Sequence, residues 1–220
     1  MTHPRLSVDA MCTYPWSFDQ DLALWSDVRV RHAGLLGAKL GDDPDEKMDR
    51  LTAAGIRAST LITEAFDLAE PESWHTTSAA HCSAIDLMAR HGGHSIYFTP
   101  GRTTGAPWRE DLERLAEAIA PTVSHARECG VLAAIEPSLR TSVSFVNTLR
   151  DAIDVAERTG IGLVVDFGNM WMERDFREVL ARAMPHIALI QICDVVIGSS
   201  RPVPPGGGPT SAKASCRSGG

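Results

Sequence analysis

Short apolar runs alternate along this chain with longer segments whose apolar residues recur every three to four positions, and the two periods separate strands from helices. The runs lie at residues 6–8, 28–36, 56–62, 95–99, 131–135, 161–165 and 187–192. Each is nearly continuous rather than alternating, as a strand covered on both faces requires, so the pattern predicts seven strands of a parallel sheet. Among the helical segments, 108–129 places Leu112, Leu115, Ala116, Ile119 and Val123 on one stripe. Pro121 is expected to kink or restart that helix, and Gly130 to end it as a left-handed cap. Segment 148–159 puts Leu149, Ala152, Ile153 and Ala156 on one face and stops at Gly160. Phe176, Val179, Leu180 and Ala183 then form a further stripe, which Pro185 closes.

Strand-helix alternation of this kind specifies an α/β fold built from parallel β/α units. No GxGxxG follows the first strand, so a (β/α) TIM-type barrel is expected rather than an open dinucleotide-binding sheet. Eight strands close such a barrel over about 250 residues. This chain, with 220 residues, reaches only seven before Gly198. The expectation is therefore a barrel over residues 1–197, truncated after the seventh strand. Residues 198–220, rich in Gly, Pro and Ser, follow it as an expected disordered tail. A shifted reading frame or a truncated gene model near Gly206 is a mundane cause for so sudden a change.

The charged residues, 21 Lys plus Arg against 28 Asp plus Glu, give a net charge of −7. That balance excludes a broad phosphate-binding face and argues against nucleic acid as partner. Five cysteines, widely spaced and without a CxxC, suggest neither a disulfide framework nor a zinc knuckle, and fit a reducing cytoplasm. No stretch approaches the length of a membrane span and no secretory leader is evident, so no membrane partner is expected.

In barrels of this type the reactive groups stand at the C-terminal ends of the strands, so polar residues that close an apolar run are the candidates. Glu136 closes VLAAIEP, Asp166 closes GLVVDFG, and Gln191 interrupts IALIQICD, with Asp194 three residues on. The strands are consecutive, so the three groups can converge on one mouth. Taken singly, each is more readily an ordinary strand-end residue capping a loop. Together, two carboxylates facing one cavity repel unless a cation or a proton lies between them. Two carboxylates and an amide oxygen suit a hard divalent cation such as Mg²⁺ or Mn²⁺.

With IEP, VVDFGNMW, IQICD and RPVPPGGG in place, the chain resembles the sugar phosphate isomerase/epimerase group. That group has a xylose isomerase-like barrel and includes hydroxypyruvate isomerases and ketose 3-epimerases. The resemblance extends in layout from about Leu6 to Gly208. It implies one divalent cation, Mn²⁺, Mg²⁺ or Co²⁺, held by Glu136, Asp166 and Gln191, with Glu136 also the catalytic acid or base. It implies a small sugar, keto sugar or related polyol as substrate, and a substrate-holding role for Asn169, where the family commonly has His; Arg201 is, by its guanidinium, a candidate to meet a substrate phosphate or carboxylate, with a solvated side chain the alternative. The family's fourth ligand, a second acid/base Glu, falls at Gly207.

Trp16, Trp108 and Trp171 follow the first, fourth and sixth strands and are candidates to stack on a sugar ring, with plain loop packing the alternative. His32, inside the second run, is read as a hydrogen-bonded core residue. His75, His81, His91 and His94 are expected toward the outside or bottom face. The leading reading is a divalent-metal-dependent sugar isomerase or epimerase acting through an enediolate. The alternative is an inactive barrel that binds a ligand or partner, favoured by Gly207 and by an open sheet edge that also makes a homo-oligomer possible. A nuclease of the abasic-site type, needing a multi-metal cluster and a basic face, ranks below both.

Overall fold

The computed structural model describes residues 3, 5–195 and 202–203. Seven parallel strands stand in one sheet in chain order: β1 (Val8–Asp9), β2 (His32–Leu36), β3 (Arg57–Ile62), β4 (Ser95–Phe98), β5 (Leu132–Ile135), β6 (Gly162–Asp166) and β7 (Ile187–Gln191). Helices separate them, and the fold is that of a (β/α) TIM-type barrel as far as its seventh strand. The chain divides into two compact units. The first comprises residues 1–64, 75–98 and 121–133, and the second 65–74, 99–120 and 134–220.

In the first unit, α1 (Phe18–Asp27) begins at a capping box in which the Ser17 hydroxyl accepts from the Gln20 N–H while Gln20 Oε1 accepts from the Ser17 N–H. A short α2 (Gly37–Leu40) follows β2, and α3 (Pro44–Ala53) starts with Asp43 as cap and Pro44 in its first turn. Helix α4 (Trp74–Arg90) precedes β4. Trp25, Leu35, Met48, Leu51, Ile85 and Phe98 fill this core. At Gly34 a Cβ would fall on the Asp9 carboxylate, so the strand needs glycine there.

The long α5 (Trp108–Cys129) crosses the division at Pro121. It runs unbroken, contrary to the expected kink, because Leu115, Ala118, Ile119, Thr122 and Ala126 are all buried along it. Packing of that face outweighs the roughly 3 kcal/mol that an interior proline costs. In the second unit, α6 (Leu149–Thr159) starts at a Thr148 cap and ends at left-handed Gly160, as its pattern requires. Strand β6 runs directly into α7 (Phe167–Met170), and α8 (Phe176–Ala183) leads to β7. Residues 163–166 of β6 are buried, whereas β7 is half-buried, with Ile190 47% exposed.

Two strand expectations are corrected. The run 28–36 forms a strand only over His32–Leu36, because Val28 ends α1 and Arg29 turns left-handed at φ 57°. The N–H groups of Val28 and Val30 bond back to Leu24 and Trp25, which holds this segment in the helix terminus. The run 6–8 gives way to Val8–Asp9. Past β7, β8 (Asp194–Val195) pairs antiparallel with β9 (Pro202–Val203), and the expected boundary at 197 lies outside the described residues. The rest of the expected tail, with Arg201 and Gly207, lies outside the described residues.

Candidate functional site

Parallel pairing brings the ends of β5, β6 and β7 together in the second unit. Ala134 and Ile135 stand opposite Gly162 and Leu163, and Asp166 stands opposite Gln191. Glu136 is the first residue beyond β5, and Asp166 and Gln191 are the last of their strands. The C-terminal ends of three consecutive strands thus carry the three residues.

Asn169, on α7, ties the two acids together. Its Nδ2 donates to Glu136 Oε1 at 2.9 Å and to Asp166 Oδ2 at 3.0 Å. The orientation of the amide is set from behind, where its Oδ1 accepts from the Ser138 hydroxyl at 3.3 Å and from the Leu139 N–H at 3.4 Å. Both carboxylates therefore face the amide's nitrogen end, and Asp166, Asn169 and Ser138 are all buried.

Asp166 Oδ1 accepts from the Gly168 N–H at 2.7 Å, the usual capping bond of a strand that turns straight into a helix. It also accepts from the Cys193 thiol at 2.7 Å. Burial, and then the Asp166 carboxylate, hold that thiol pushed up to about 12, so it stays protonated and donates. Sequence reasoning passed over Cys193. Its spacing of two from Gln191, the period that returns a strand to the same side, is the signal that could have found it.

The donor set fits a divalent cation. Two carboxylate oxygens that share one amide nitrogen, with a strand-end amide in register beside them, form a hard, oxygen-rich cluster in a largely buried place. Anionic oxygens so close together need positive charge or donors between them, and Asn169 supplies only a neutral amide.

The remaining candidates are placed separately. Trp108 opens α5 with its ring against Phe145, centroids 5.9 Å apart, and its buried indole nitrogen has no hydrogen-bond partner among the described residues. Trp171, at the end of α7, is 51% exposed. Trp16, in the first unit, is 40% exposed in the turn before α1. His32 opens β2 with its Nδ1 buried and without a partner there, not the hydrogen-bonded core group expected. His81 is likewise corrected. It is 1% exposed, takes part in a 2.8 Å hydrogen bond to Glu64 O through Nε2, and stacks on Phe98 at 4.5 Å, because the expected outer face of α4 is its inner one at this residue.

The first unit also buries an ion pair that the sequence reading missed. Lys39 Nζ contacts Asp21 Oδ2 at 2.6 Å and donates to the Ala10 and Thr13 carbonyls at 3.1 and 2.8 Å. Among the described residues no helix is long and apolar enough to cross a membrane.

A family model described as xylose isomerase-like TIM barrel matches residues 27–215. No curated protein matches the chain in sequence. Several solved structures share its fold. A protein of Sinorhizobium meliloti 1021 is 23% identical with a TM-score of 0.82, the match covering 93% of this chain and 80% of that one. The IolI protein, solved with a bound zinc atom, is 18% identical with a TM-score of 0.80 over 95% and 82%. The 3-keto-D-glucoside 4-epimerase of E. coli is 15% identical with a TM-score of 0.74 over 86% and 78%.

Proposed function

The chain belongs to the xylose isomerase-like TIM-barrel family, and from that premise we propose that it is a divalent-metal-dependent isomerase or epimerase of a small sugar, keto sugar or related polyol. The observation that carries this reading is the pair of carboxylates, Glu136 and Asp166, bridged by the single Asn169 nitrogen at the strand ends. The epimerase and zinc-bound relatives support it.

Glu136, Asp166 and Gln191 would hold Mn²⁺, Mg²⁺ or Co²⁺. A cation bound there supplies Lewis acidity, lowering the cost of enediolate charge beside a carbonyl. Glu136 is the acid or base that takes a proton from carbon, and proton transfer by a positioned carboxylate contributes about 10²–10⁴-fold. Asp166 stays a ligand, since its Oδ1 is already held by Gly168 and Cys193. Asn169 sets the distance between the two acids and is a candidate to hold substrate by turning one of its two N–H groups from a carboxylate to a substrate hydroxyl. Trp16, Trp108 and Trp171 are candidate ring-stacking residues, and Arg201 a candidate anchor for a phosphate or carboxylate. The reading includes a cytoplasmic location.

The test is thermal unfolding of EDTA-stripped protein titrated with Mn²⁺, repeated on Asp166→Ala, followed by a screen of keto sugars. The expected result is a Mn²⁺-dependent rise that Asp166→Ala loses, together with metal-dependent turnover. The rise without turnover of any keto sugar would favour the inactive binding barrel that Gly207 suggests. No rise would overturn the metal site.

A further inference from the structure

Within the first unit, α4 and the C-terminal part of α5 each present a pair of metal-ligating residues one turn apart: Cys82 and Asp86 on α4, His125 and Cys129 on α5. Residues four apart share a helix face, so each pair projects in one direction. Three of the four side chains meet. His125 Nε2 lies 2.7 Å from Asp86 Oδ1, Cys129 Sγ 3.7 Å from the same oxygen, and Cys129 Sγ 3.6 Å from His125 Nε2. The side chains of His125 and Asp86 are 30% and 49% exposed, so solvent reaches the cluster. None of the four takes part in the carboxylate site, whose residues belong to the second unit.

We propose that Asp86, His125 and Cys129 form a second metal site, for a borderline-soft divalent cation such as Zn²⁺, with Cys82 as its fourth ligand. One thiolate, one imidazole and one carboxylate are the ligand types that zinc takes together in tetrahedral sites. Bond lengths of about 2.0–2.3 Å around a tetrahedral ion imply separations of about 3.5 Å between sulfur and nitrogen or oxygen, and about 3.3 Å between nitrogen and oxygen. The two sulfur edges already match within about 0.2 Å. The third, closed by a hydrogen bond, opens by about 0.6 Å as the cation takes its place, with His125 binding through a deprotonated Nε2 and keeping its proton on Nδ1. The Cys129 thiol, and that of Cys82 where it binds, release their protons to solvent on binding.

Cobalt(II) substitutes for zinc and reports thiolate ligation by its charge-transfer absorption, so the test is titration of the full chain with Co²⁺. The expected result is a thiolate band that Cys129→Ser and Cys82→Ser each weaken, the double variant abolishes, added Zn²⁺ erases, and Asp166→Ala leaves intact. The Asp166→Ala arm separates this site from Cys193. Zn²⁺ dialysis against His125→Ala, whose helix content is checked by circular dichroism, is expected to show affinity lowered by more than about tenfold. A missing band, a band unchanged in Cys129→Ser, or a band lost in Asp166→Ala overturns the site. An unchanged band in Cys82→Ser overturns Cys82 as fourth ligand.

Discussion

Asn169 donates from one nitrogen to two acids, reaching Glu136 at 2.9 Å and Asp166 at 3.0 Å. A neutral amide is the group that reconciles these carboxylates in the absence of a cation, while its carbonyl is held by Ser138 and Leu139. On the proposed reading, stability and affinity for a cation are linked through this one side chain.

Asn169→Leu removes the bridging donor and strips Ser138 and Leu139 of their acceptor. Leaving buried polar groups unpaired costs about 1–3 kcal/mol each. The metal-free variant is expected to melt several degrees below the wild type, and saturating Mn²⁺ to recover part of the loss by neutralising the acids. Calorimetry with and without Mn²⁺ checks this; an unchanged midpoint would sink the bridging role.

Glu136→Gln keeps an oxygen where Asn169 donates but cannot accept a proton from carbon. Turnover is expected to fall by about 10²–10⁴-fold. The Mn²⁺-induced rise in melting temperature is expected to shrink without vanishing, since Asp166 and Gln191 remain. Parallel rate and melting measurements separate the two roles, and retained turnover would remove Glu136 as the acid or base.

Lys39→Met leaves the Asp21 carboxylate buried without its cation, although Thr13 still donates to it at 2.6 Å. Breaking a buried pair on one side costs about 3–5 kcal/mol. Urea unfolding of the single variant should show that loss, and Lys39→Met with Asp21→Leu should regain much of it. A loss below about 1 kcal/mol would place the pair in the range of surface ion pairs.

Burial pushes the His81 imidazole below its ordinary value, against the raising effect of Glu64. Below a pH of about 6.5 the unfolded chain therefore takes up a proton that the native protein resists. Stability is expected to be fully present above that pH and to fall as pH drops through it toward the lower native value. His81→Phe, which retains a ring against Phe98, should flatten that part of the profile. Melting temperatures taken across this range check the sign.

Both acids and Gln191 were legible as strand-end polar residues, since continuous apolar runs mark where parallel strands stop. Asn169 was singled out in the sequence only as a candidate to hold substrate. Its bridging role depends on how α7 is turned, which capping at Asp166 and packing against Ser138 decide. Cys193 was hidden for a similar reason, because its partner lies 27 positions away in the chain.

By itself, the sequence determined the parallel β/α layout, most helix ends and which polar residues stand at the strand ends, because periodicity, caps and proline or glycine stops act over a few neighbouring residues. Only the tertiary structure decided that α5 continues through Pro121, that His81 faces inward, and that Asp86, His125 and Cys129 meet. Each of these rests on packing between elements far apart in the chain, where the gain from buried contacts outweighs local preference and leaves no local mark.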